Sequence, residues 1–282
     1  MKSLKDTVTL LNGYEIPCVG FGTWQSPNGE TAYNAVMEAI KCGYRHIDTA
    51  AAYRNEESIG RAVRDCGVPR EELFVTSKLW NTERGYEKTM AAFEKTMDRL
   101  GLDFLDLYLI HWPANSVQYE NYNEVNLSTW KAFTELYKSG RIKAIGVSNF
   151  MPMHLEALLQ TEIKPMVNQI EFHPGFMQTE AVELCKKNDI IVEAWSPLGT
   201  GELLSNETLC GIAAKYGKSV AQLCIRWCLQ KGTVPLPKSV TPSRIMENTD
   251  VFDFVISDED MRVIDALPFC GGTGHDPDKV DF

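Results

Sequence analysis

Four residues in the first half of the chain can move or hold a proton: Asp48, Tyr53, Lys78 and His111. A tyrosine has an ordinary pKa of about 10, which makes it a weak acid at neutral pH. An adjacent ammonium such as Lys78 stabilises the phenolate, and a carboxylate such as Asp48 keeps the lysine charged and in place. A histidine beside them can hydrogen-bond a substrate oxygen and orient it. Together these residue types suit the donation of a proton to a carbonyl oxygen.

An alternation of short β-favouring runs and helical patterns must position these residues. Short apolar runs flank Asn12-Gly13, which predicts a β-hairpin with a two-residue turn over residues 7–17. Eight strands, each followed by helix, are predicted at VGFG, the run that ends at Asp48, LFVTSKLW, FLDLYLIHWP, AIGVSNF, MVNQIEFHP, IIVEAWSPLG and TVPLPKS. Eight such units favour a parallel (β/α)8 TIM barrel of class α/β, in one domain over residues 1–282. A doubly wound sheet is the alternative, but three Gly-x-Gly segments lack the third glycine of its fingerprint.

Polar residues recur where the predicted strands end. In an α/β barrel the chemistry lies at the C-terminal ends of the strands. In chain order, those ends carry Asp48, Lys78, His111, Asn149, Gln169, Trp195-Ser196 and Lys238-Ser239. Each alone is compatible with a structural role, with Lys78 an exposed lysine, His111 a core histidine and Gln169 a polar plug. Together they indicate a catalytic face, because buried charges are costly unless they are paired.

Charge and cysteine usage limit the possible partners. The chain has 282 residues and a net charge of −10, without a cluster of Lys and Arg, which disfavours nucleic acid and anionic membrane as partners. The first residues lack the apolar core of a signal peptide, and no window approaches the roughly 18 apolar residues of a membrane span. Eight cysteines without a CxxC pair favour reduced thiols in a cytoplasmic protein. Cys224 and Cys228 lie one helical turn apart without partners for a zinc site, so we predict no metal.

The segment after the eighth predicted strand has the features of an anion site. Lys238 and Ser239 precede Thr241, a suitable N-cap residue, and Pro242 falls at the favoured first position of a helix. Arg244 follows in the first turn. A helix N-terminus with basic residues beside it attracts phosphate, and barrel enzymes often bind phosphate after strands seven and eight. An exposed basic patch is the alternative interpretation.

Three motifs, DTAAAYRNE, LDFLDLYLIHWP and LPKSVTPSRIMEN, resemble in their order and spacing the signatures of the aldo-keto reductase family. The resemblance extends over essentially the whole chain. It implies a barrel that transfers hydride from NADPH to an aldehyde or ketone, and it places the catalytic tetrad of the family on Asp48, Tyr53, Lys78 and His111. The implied roles are Tyr53 as the acid, Lys78 and Asp48 as the pair that tunes it, and His111 as the residue that orients the substrate.

The resemblance also implies a set of residues in contact with the cofactor. That set is Gly22, Thr23, Ser148, Asn149, Gln169, Trp195, Ser196, Leu198, Lys238, Ser239, Val240, Arg244, Glu247 and Asn248. Ser148, Asn149 and Gln169 would surround the nicotinamide carboxamide, and Trp195 would stack on the nicotinamide ring. Lys238, Ser239 and Arg244 would face the adenosine 2′-phosphate, and Glu247 and Asn248 would lie near the adenine.

For the substrate, the resemblance implies a pocket with two sides. Trp24, Trp80 and Trp112, each beside a predicted strand end, would form one side. The C-terminal segment from Phe269 onward, which has no helical or strand periodicity and includes Cys270, would fold over the barrel and form the other. The family's C-terminal segment lines the substrate pocket in this way.

Two short loops set the chain apart from the vertebrate members of the family. The segment LGTGELLSNETL after strand seven and the loop after His111 are both short, and the chain ends in DPDKVDF. These features resemble the microbial branch that includes 2,5-diketo-gluconate reductase, so the substrates of the animal enzymes are poor guides. We therefore expect an NADPH-dependent reductase of aldehydes and ketones that is a monomer, and the sequence does not name its natural substrate. A non-catalytic barrel that senses nucleotide is the alternative, because fold alone does not fix function, whereas a metal-dependent hydrolase lacks clustered ligands.

Overall fold

The structure is a computed structural model that describes residues 1–282 and consists of an N-terminal hairpin and a nearly closed barrel. The ten strands are β1 (Thr7–Thr9), β2 (Glu15–Pro17), β3 (Gly20–Gly22), β4 (His46–Asp48), β5 (Phe74–Leu79), β6 (Leu105–Ile110), β7 (Ile142–Ser148), β8 (Val167–Glu171), β9 (Ile191–Trp195) and β10 (Val234–Pro235). The ten α-helices are α1 (Glu30–Lys41), α2 (Glu56–Asp65), α3 (Tyr86–Leu100), α4 (Tyr122–Lys138), α5 (Pro152–Leu158), α6 (Thr179–Lys187), α7 (Glu207–Lys215), α8 (Val220–Gln230), α9 (Pro242–Glu247) and α10 (Asp258–Asp265). Short 3-10 helices span Ala51–Tyr53, Arg70–Glu72, Asn81–Glu83 and Gly199–Ser205. None of the helices has the length and apolar character needed to span a membrane.

The eight strands from β3 to β10 form one parallel sheet in which each strand pairs with its neighbours in chain order. The two edge strands approach each other at Gly22, whose N–H donates to the Pro237 oxygen at 3.0 Å. The sheet therefore curls into a barrel, and the C-terminal ends of all eight strands meet at one face. This confirms the predicted (β/α)8 architecture.

The eighth barrel strand is much shorter than the predicted run TVPLPKS. Only Val234 and Pro235 belong to β10. Proline has no backbone N–H to donate, and Pro235 and Pro237 alternate with Leu236, whose N–H still donates to the Ala194 oxygen at 3.0 Å. The ladder is interrupted because these prolines withhold donors, while the chain keeps the path of a strand.

The hairpin turn differs from the two-residue prediction. Leu10 N donates to the Tyr14 oxygen at 2.8 Å, which leaves a loop of three residues, 11–13, between the paired strands β1 and β2. Gly13 ends this loop with a φ of 82°, in the left-handed region. A three-residue loop with a left-handed glycine is a common hairpin connection. The prediction of a hairpin is confirmed, and the two-residue turn is wrong because the glycine serves a longer loop.

Close helix packing supports the loop that follows β4. Helix α2 begins three residues after Tyr53 and packs against α3 at Gly60. A side-chain carbon at Gly60 would overlap the backbone of Leu100. Glycine therefore permits the close approach of the two helices behind Tyr53.

Residues 269–282, referred to below as the tail, contain no helix or strand but follow a defined path. The Thr273 N–H and hydroxyl both donate to the Glu171 carboxylate, at 3.0 and 2.9 Å. Asn115 Nδ2 donates to the Val280 oxygen at 2.8 Å. Because Glu171 ends β8 and Asn115 follows β6, these bonds hold the tail across the C-terminal face of the barrel.

Candidate active site

Strands β4 and β5 bring Asp48 and Lys78 together in a buried ion pair. Lys78 Nζ lies 2.7 and 2.8 Å from the two Asp48 carboxylate oxygens and 3.0 Å from the Thr49 main-chain oxygen. It also lies 3.3 Å from the Tyr53 hydroxyl. The Lys78 side chain has no exposed surface, so the interpretation of an exposed lysine is wrong. A buried pair of this kind is stable only because its polar atoms are so fully satisfied.

Burial and neighbouring charges act in opposite directions on the pKa values of Lys78 and Tyr53. Burial is the largest single influence on Lys78 and disfavours its ammonium, but Asp48 and Tyr53 together outweigh burial, and the pKa of Lys78 lies above its ordinary value. For Tyr53, burial is the largest influence and raises the pKa above its ordinary value, although the charge of Lys78 opposes the rise. The sequence predicts the direction in which Lys78 acts but not the net result. The half-buried phenol is fully protonated at neutral pH.

His111 directly follows β6, lies beside the phenol and is neutral. Its ring meets Tyr53 edge-on at 5.6 Å and Trp80 edge-on at 5.3 Å between centroids. Burial, with a smaller contribution from the charge of Lys78, holds the pKa of His111 well below its ordinary value. Its Nδ1 is buried without a hydrogen-bond partner, so the residue is not a satisfied core histidine. An uncommitted neutral imidazole next to a phenol suits recognition of a ligand oxygen.

Hydrogen bonds from side chains hold the residues at the C-terminal ends of β7 and β9. Asn149 has a φ of 62°, in a region that residues other than glycine rarely adopt. Its Nδ2 donates to the His111 oxygen at 3.0 Å, and its Oδ1 accepts from Trp195 Nε1 at 2.9 Å. The Ser148 hydroxyl donates to the Gln169 main-chain oxygen at 2.8 Å. Strained backbone that is fixed by its surroundings is typical of functional sites.

Gln169 connects the ion pair to a second buried carboxyl group. Its Nε2 donates one hydrogen to Asp48 Oδ2 and the other to Glu193 Oε2, both at 2.9 Å. Glu193 was not among the predicted site residues. It precedes Trp195 by two positions in β9, and residues two apart in a strand share a face. The spacing of two residues from Trp195 could therefore have predicted that Glu193 faces the barrel interior.

The site opens into a cavity of about 1370 Å³. Small-molecule pockets usually measure roughly 300–1,000 Å³, so this cavity has room for a large ligand. The predicted site residues that line it are Gly22, Trp24, Asp48, Tyr53, Trp80, His111, Trp112, Ser148, Asn149, Gln169, Trp195, Ser196, Leu198, Lys238, Ser239, Arg244, Glu247 and Asn248. The structure thus brings together residues from all parts of the chain.

Four predicted residues do not line this cavity. Lys78 and Thr23 are buried behind the lining. Val240 is exposed outside it, on the loop after β10. Cys270 is half-buried, with its sulfur packed where a Gly175 side chain would be, so it holds the tail in place rather than facing the cavity.

The far end of the cavity carries the predicted anion site. Arg244 is exposed and makes no ion pair or side-chain hydrogen bond within the protein, and Lys238 Nζ makes one long bond, 3.3 Å, to the Gln25 oxygen. Pro242 occupies the first position of α9, as predicted. The Thr241 side chain makes no capping hydrogen bond to this helix, so the predicted cap is absent. The Thr241 N–H donates to the Ser239 hydroxyl at 3.1 Å. Two basic side chains are therefore available to an anion.

An aromatic wall of Trp80, Trp112 and Phe282 closes the other end. The Phe282 ring stacks on Trp80, with 6.0 Å between centroids and 4° between planes, and meets Trp112 edge-on at 5.4 Å. Asn81 Nδ2 and Gln118 Nε2 both donate to the Phe282 oxygen at 3.0 Å. The sequence singles out the two tryptophans but not Phe282, whose position depends on the whole path of the tail.

The cysteines and acidic residues show no metal centre. All eight cysteines are free thiols, and Cys224 and Cys228 are buried on α8, which favours the interpretation of small apolar residues on a packed helix. No group of three or more His, Cys, Asp or Glu side chains is arranged to hold a metal ion.

A parallel barrel with a Tyr–Lys–Asp–His cluster at its C-terminal face defines a class of barrel oxidoreductases, and comparison with known proteins identifies the family. The model of the Aldo/keto reductase family matches residues 18–268, and the chain belongs to that family.

Similar proteins match over nearly their whole length. The chain is 55% identical over 281 residues to the glyoxal reductase of Bacillus subtilis, covering 99% of each protein. It is 49% identical over 276 residues to the 9,11-endoperoxide prostaglandin H2 reductase of Trypanosoma cruzi, covering 96% of this chain and 95% of that protein. Among solved structures, MGS-M4, an aldo-keto reductase from a deep-sea metagenome library, superposes with a TM-score of 0.91 at 47% identity, over 98% of this chain and 100% of the other. A mutant of Gox0644 in complex with NADPH superposes with a TM-score of 0.90 at 43% identity, over 98% of this chain and 99% of the other. The specific likeness to 2,5-diketo-gluconate reductase stays a prediction.

Proposed function

We propose that the protein reduces aldehydes and ketones to alcohols with NADPH and that Tyr53 donates the proton. The observation that carries this proposal is the contact of the Tyr53 hydroxyl with Lys78 Nζ, at 3.3 Å, beside a cavity. A protein that only senses nucleotide gains nothing from a buried ammonium held against a phenol. Membership of the reductase family likewise does not favour that alternative.

The residues of the tetrad divide the proton chemistry among them. Because burial raises its pKa, Tyr53 is protonated at neutral pH and is in the form that donates. Lys78 stabilises the phenolate that donation leaves behind, and Asp48 keeps Lys78 charged and in position. His111 is neutral and can donate a hydrogen bond to the substrate oxygen, which orients the carbonyl carbon.

The residues around Gln169 fit the nicotinamide end of NADPH, which supplies the hydride when bound. Both Gln169 N–H groups are used inside the barrel, so its side-chain oxygen is left to accept from a carboxamide. Ser148 and Asn149 lie beside it at the cavity surface. Trp195 lines the same surface with its indole N–H tied to Asn149, so its ring is held for stacking.

The basic residues after β10 fit the adenosine 2′-phosphate. Arg244 is exposed and has no acidic partner in the protein, and Lys238 lies next to Ser239 on the cavity surface. Charged hydrogen bonds to phosphate are stronger than neutral ones, so these residues should favour NADPH over NADH. Asn248 is buried, and its side chain makes no hydrogen bond in the protein, which leaves it and Glu247 for the adenine. Of the rest of the predicted set, Gly22, Ser196 and Leu198 line the cavity and would lie along the dinucleotide, whereas Thr23 is buried behind the lining and Val240 lies outside it.

The substrate end suits small carbonyl compounds. Trp24 and the aromatic wall supply apolar surface there. The 55% identity to a protein described as a glyoxal reductase makes small dicarbonyl compounds the first candidates. We also infer that residues 1–282 form one domain and that the eight free thiols suit the reducing cytoplasm. The monomeric state stays a prediction.

A carbonyl panel tests the proposal. Purified protein is mixed with NADPH or NADH and with glyoxal, a branched aldehyde or an aromatic ketone, and cofactor oxidation is followed by absorbance. We expect oxidation of NADPH with the small aldehydes and a lower rate with NADH. If NADPH binds, as shown by quenching of tryptophan fluorescence, yet no carbonyl compound is reduced, the alternative of a nucleotide-binding barrel replaces this proposal.

A further inference from the structure

The carboxyl group of Glu193 lies near the Asp48–Lys78 ion pair, and the proposed mechanism assigns it no role. Glu193 is in β9 and has no exposed surface. Its Oε2 accepts from Gln169 Nε2 at 2.9 Å. Its Oε1 makes no hydrogen bond and lies 3.5 Å from His46 Nε2, which in turn lies 3.0 Å from the Thr76 hydroxyl.

The charges around Glu193 do not include a cation that could compensate a carboxylate. Lys78 has three N–H groups, and four oxygens already surround its Nζ, two of them from Asp48. His46, from β4, is the other basic group beside Glu193. Burial, together with the charge of Lys78, lowers the pKa of His46 to about 3, so it is neutral. An ionised Glu193 would therefore be an unpaired charge in the barrel interior, which is strongly disfavoured.

We propose that Glu193 is a positioning residue, held as a neutral carboxylic acid, that fixes the amide of Gln169 for cofactor binding. The carbonyl oxygen Oε2 accepts from Gln169, and the hydroxyl on Oε1 faces His46 Nε2. With Asp48 and Glu193 as its two acceptors, the Gln169 amide has one orientation, and its oxygen is kept free of partners within the protein. The part of this proposal that concerns the cofactor rests on the proposed function.

The electrostatic surroundings support this assignment. Burial, with the negative charge of Asp48, raises the pKa of Glu193 from 4.5 to about 8, against the smaller opposing effects of Gln169 and Lys78. Between these two values the folded protein holds a proton on Glu193 that the unfolded chain releases. The contribution of Glu193 to stability is therefore full below pH 4.5 and falls as the pH rises to about 8.

Urea unfolding at several pH values tests the protonation state without any assay of activity. Wild type is compared with Glu193→Gln, an uncharged variant of the same shape, from pH 5 to pH 9. We expect the urea concentration at the unfolding midpoint of wild type to fall relative to that of the variant as the pH rises to about 8. Above that pH the difference between the two midpoints should change no further. Glu183→Gln, at an exposed position on α6, is the control and should show no such trend. A difference between wild type and Glu193→Gln that is independent of pH would show that native Glu193 is ionised and would overturn the proposal.

Cofactor binding and turnover test the positioning role. At pH 6.5, Glu193→Met removes the acceptor for Gln169 and should weaken NADPH binding roughly three- to tenfold, as expected for one lost hydrogen bond. Glu193→Gln restores an acceptor and should recover most of that loss. Above pH 8, wild-type kcat should fall while that of Glu193→Gln does not, because an ionised Glu193 would disfavour the phenolate of Tyr53.

Three results would contradict the positioning role. They are equal NADPH affinity in wild type and Glu193→Met, failure of Glu193→Gln to recover binding, and identical pH profiles for wild type and Glu193→Gln. A wild-type protein that oxidises no NADPH would instead contradict the proposed function, and the unfolding experiment would still decide the state of Glu193.

Discussion

The part of the cavity proposed to hold the substrate has two components, a catalytic end and the aromatic wall, and they are built by different means. The catalytic end lies on strands β4 to β6, where Lys78 and Asp48 are buried and every ammonium hydrogen has an acceptor. The other part is the aromatic wall, where Phe282 is brought in by a tail that has no regular structure. The first end is polar and tied to the barrel itself. The second is apolar and depends on a few side-chain amides such as Asn81 and Gln118.

Under the proposed function, this difference would separate the reaction from the choice of substrate. Removal of one partner from a buried ion pair is strongly destabilising, so the catalytic end tolerates little change. An aromatic pair contributes only about 0.5–1.5 kcal/mol beyond its area, so the wall can vary without loss of the fold. Loops and tails on a rigid scaffold commonly carry selectivity in this way.

The largest effect should come from Tyr53→Phe. If the phenol donates the proton, its removal should lower kcat by roughly 10²- to 10⁴-fold, the range for general acid catalysis. NADPH affinity, measured by quenching of tryptophan fluorescence, should be nearly unchanged because the ring remains. A variant that keeps more than about a tenth of wild-type turnover would show that another group is the acid.

Lys78→Met should be the most destabilising substitution at the catalytic end. It leaves the Asp48 carboxylate buried without its cation, which should cost about 3–5 kcal/mol of unfolding free energy. Urea unfolding measures the loss, with Lys186→Met at an exposed site of α6 as the control. The double variant Asp48→Asn/Lys78→Met should recover part of the stability. Equal stability of Lys78→Met and the control would contradict the buried pair.

Arg244→Ala should act on cofactor choice. A charged hydrogen bond contributes about 1.5–3 kcal/mol, so NADPH binding should weaken roughly ten- to a hundredfold while NADH binding barely changes. The matched control is Arg262→Ala, an exposed arginine on α10 outside the cavity. Equal losses for both cofactors would assign Arg244 to a part of the site that they share.

Phe282→Ala should have the smallest effect, confined to the substrate. Loss of the stacked ring should change kcat/KM for aromatic ketones by about two- to tenfold, the equivalent of one aromatic pair. Glyoxal should be affected less because it is too small to reach the ring. Phe269→Ala is the control from the same tail, since its ring meets Phe176 away from the cavity. An unchanged order of substrates would exclude Phe282 from selectivity.

The sequence predicts the barrel and the strand-end residues because both depend on local patterns. Each strand pattern ends near a polar residue, and parallel pairing then brings those residues to one face. The sequence predicts less where a pKa depends on the balance between burial and charge, or where a side chain's position depends on the path of a long irregular segment. The net pKa of Tyr53 depends on burial as well as on Lys78, and the place of Phe282 depends on the contacts of the whole tail. The spacing of Glu193 to Trp195 could have predicted that Glu193 faces the barrel interior. The sequence could not have predicted that no cation pairs with Glu193, because its neighbours come from separate strands.

The most direct test compares one variant from each end of the cavity in the same assay. Tyr53→Phe and a chain that ends at Leu267, which lacks the tail, are each assayed with saturating NADPH against glyoxal and a bulky aromatic ketone. Tyr53→Phe should lose turnover of both substrates to the same extent. The shortened chain should keep most of its turnover of glyoxal and its affinity for NADPH, while its KM for the ketone rises. Loss of glyoxal turnover in the shortened chain as severe as in Tyr53→Phe would contradict the division between a catalytic barrel and a selective tail.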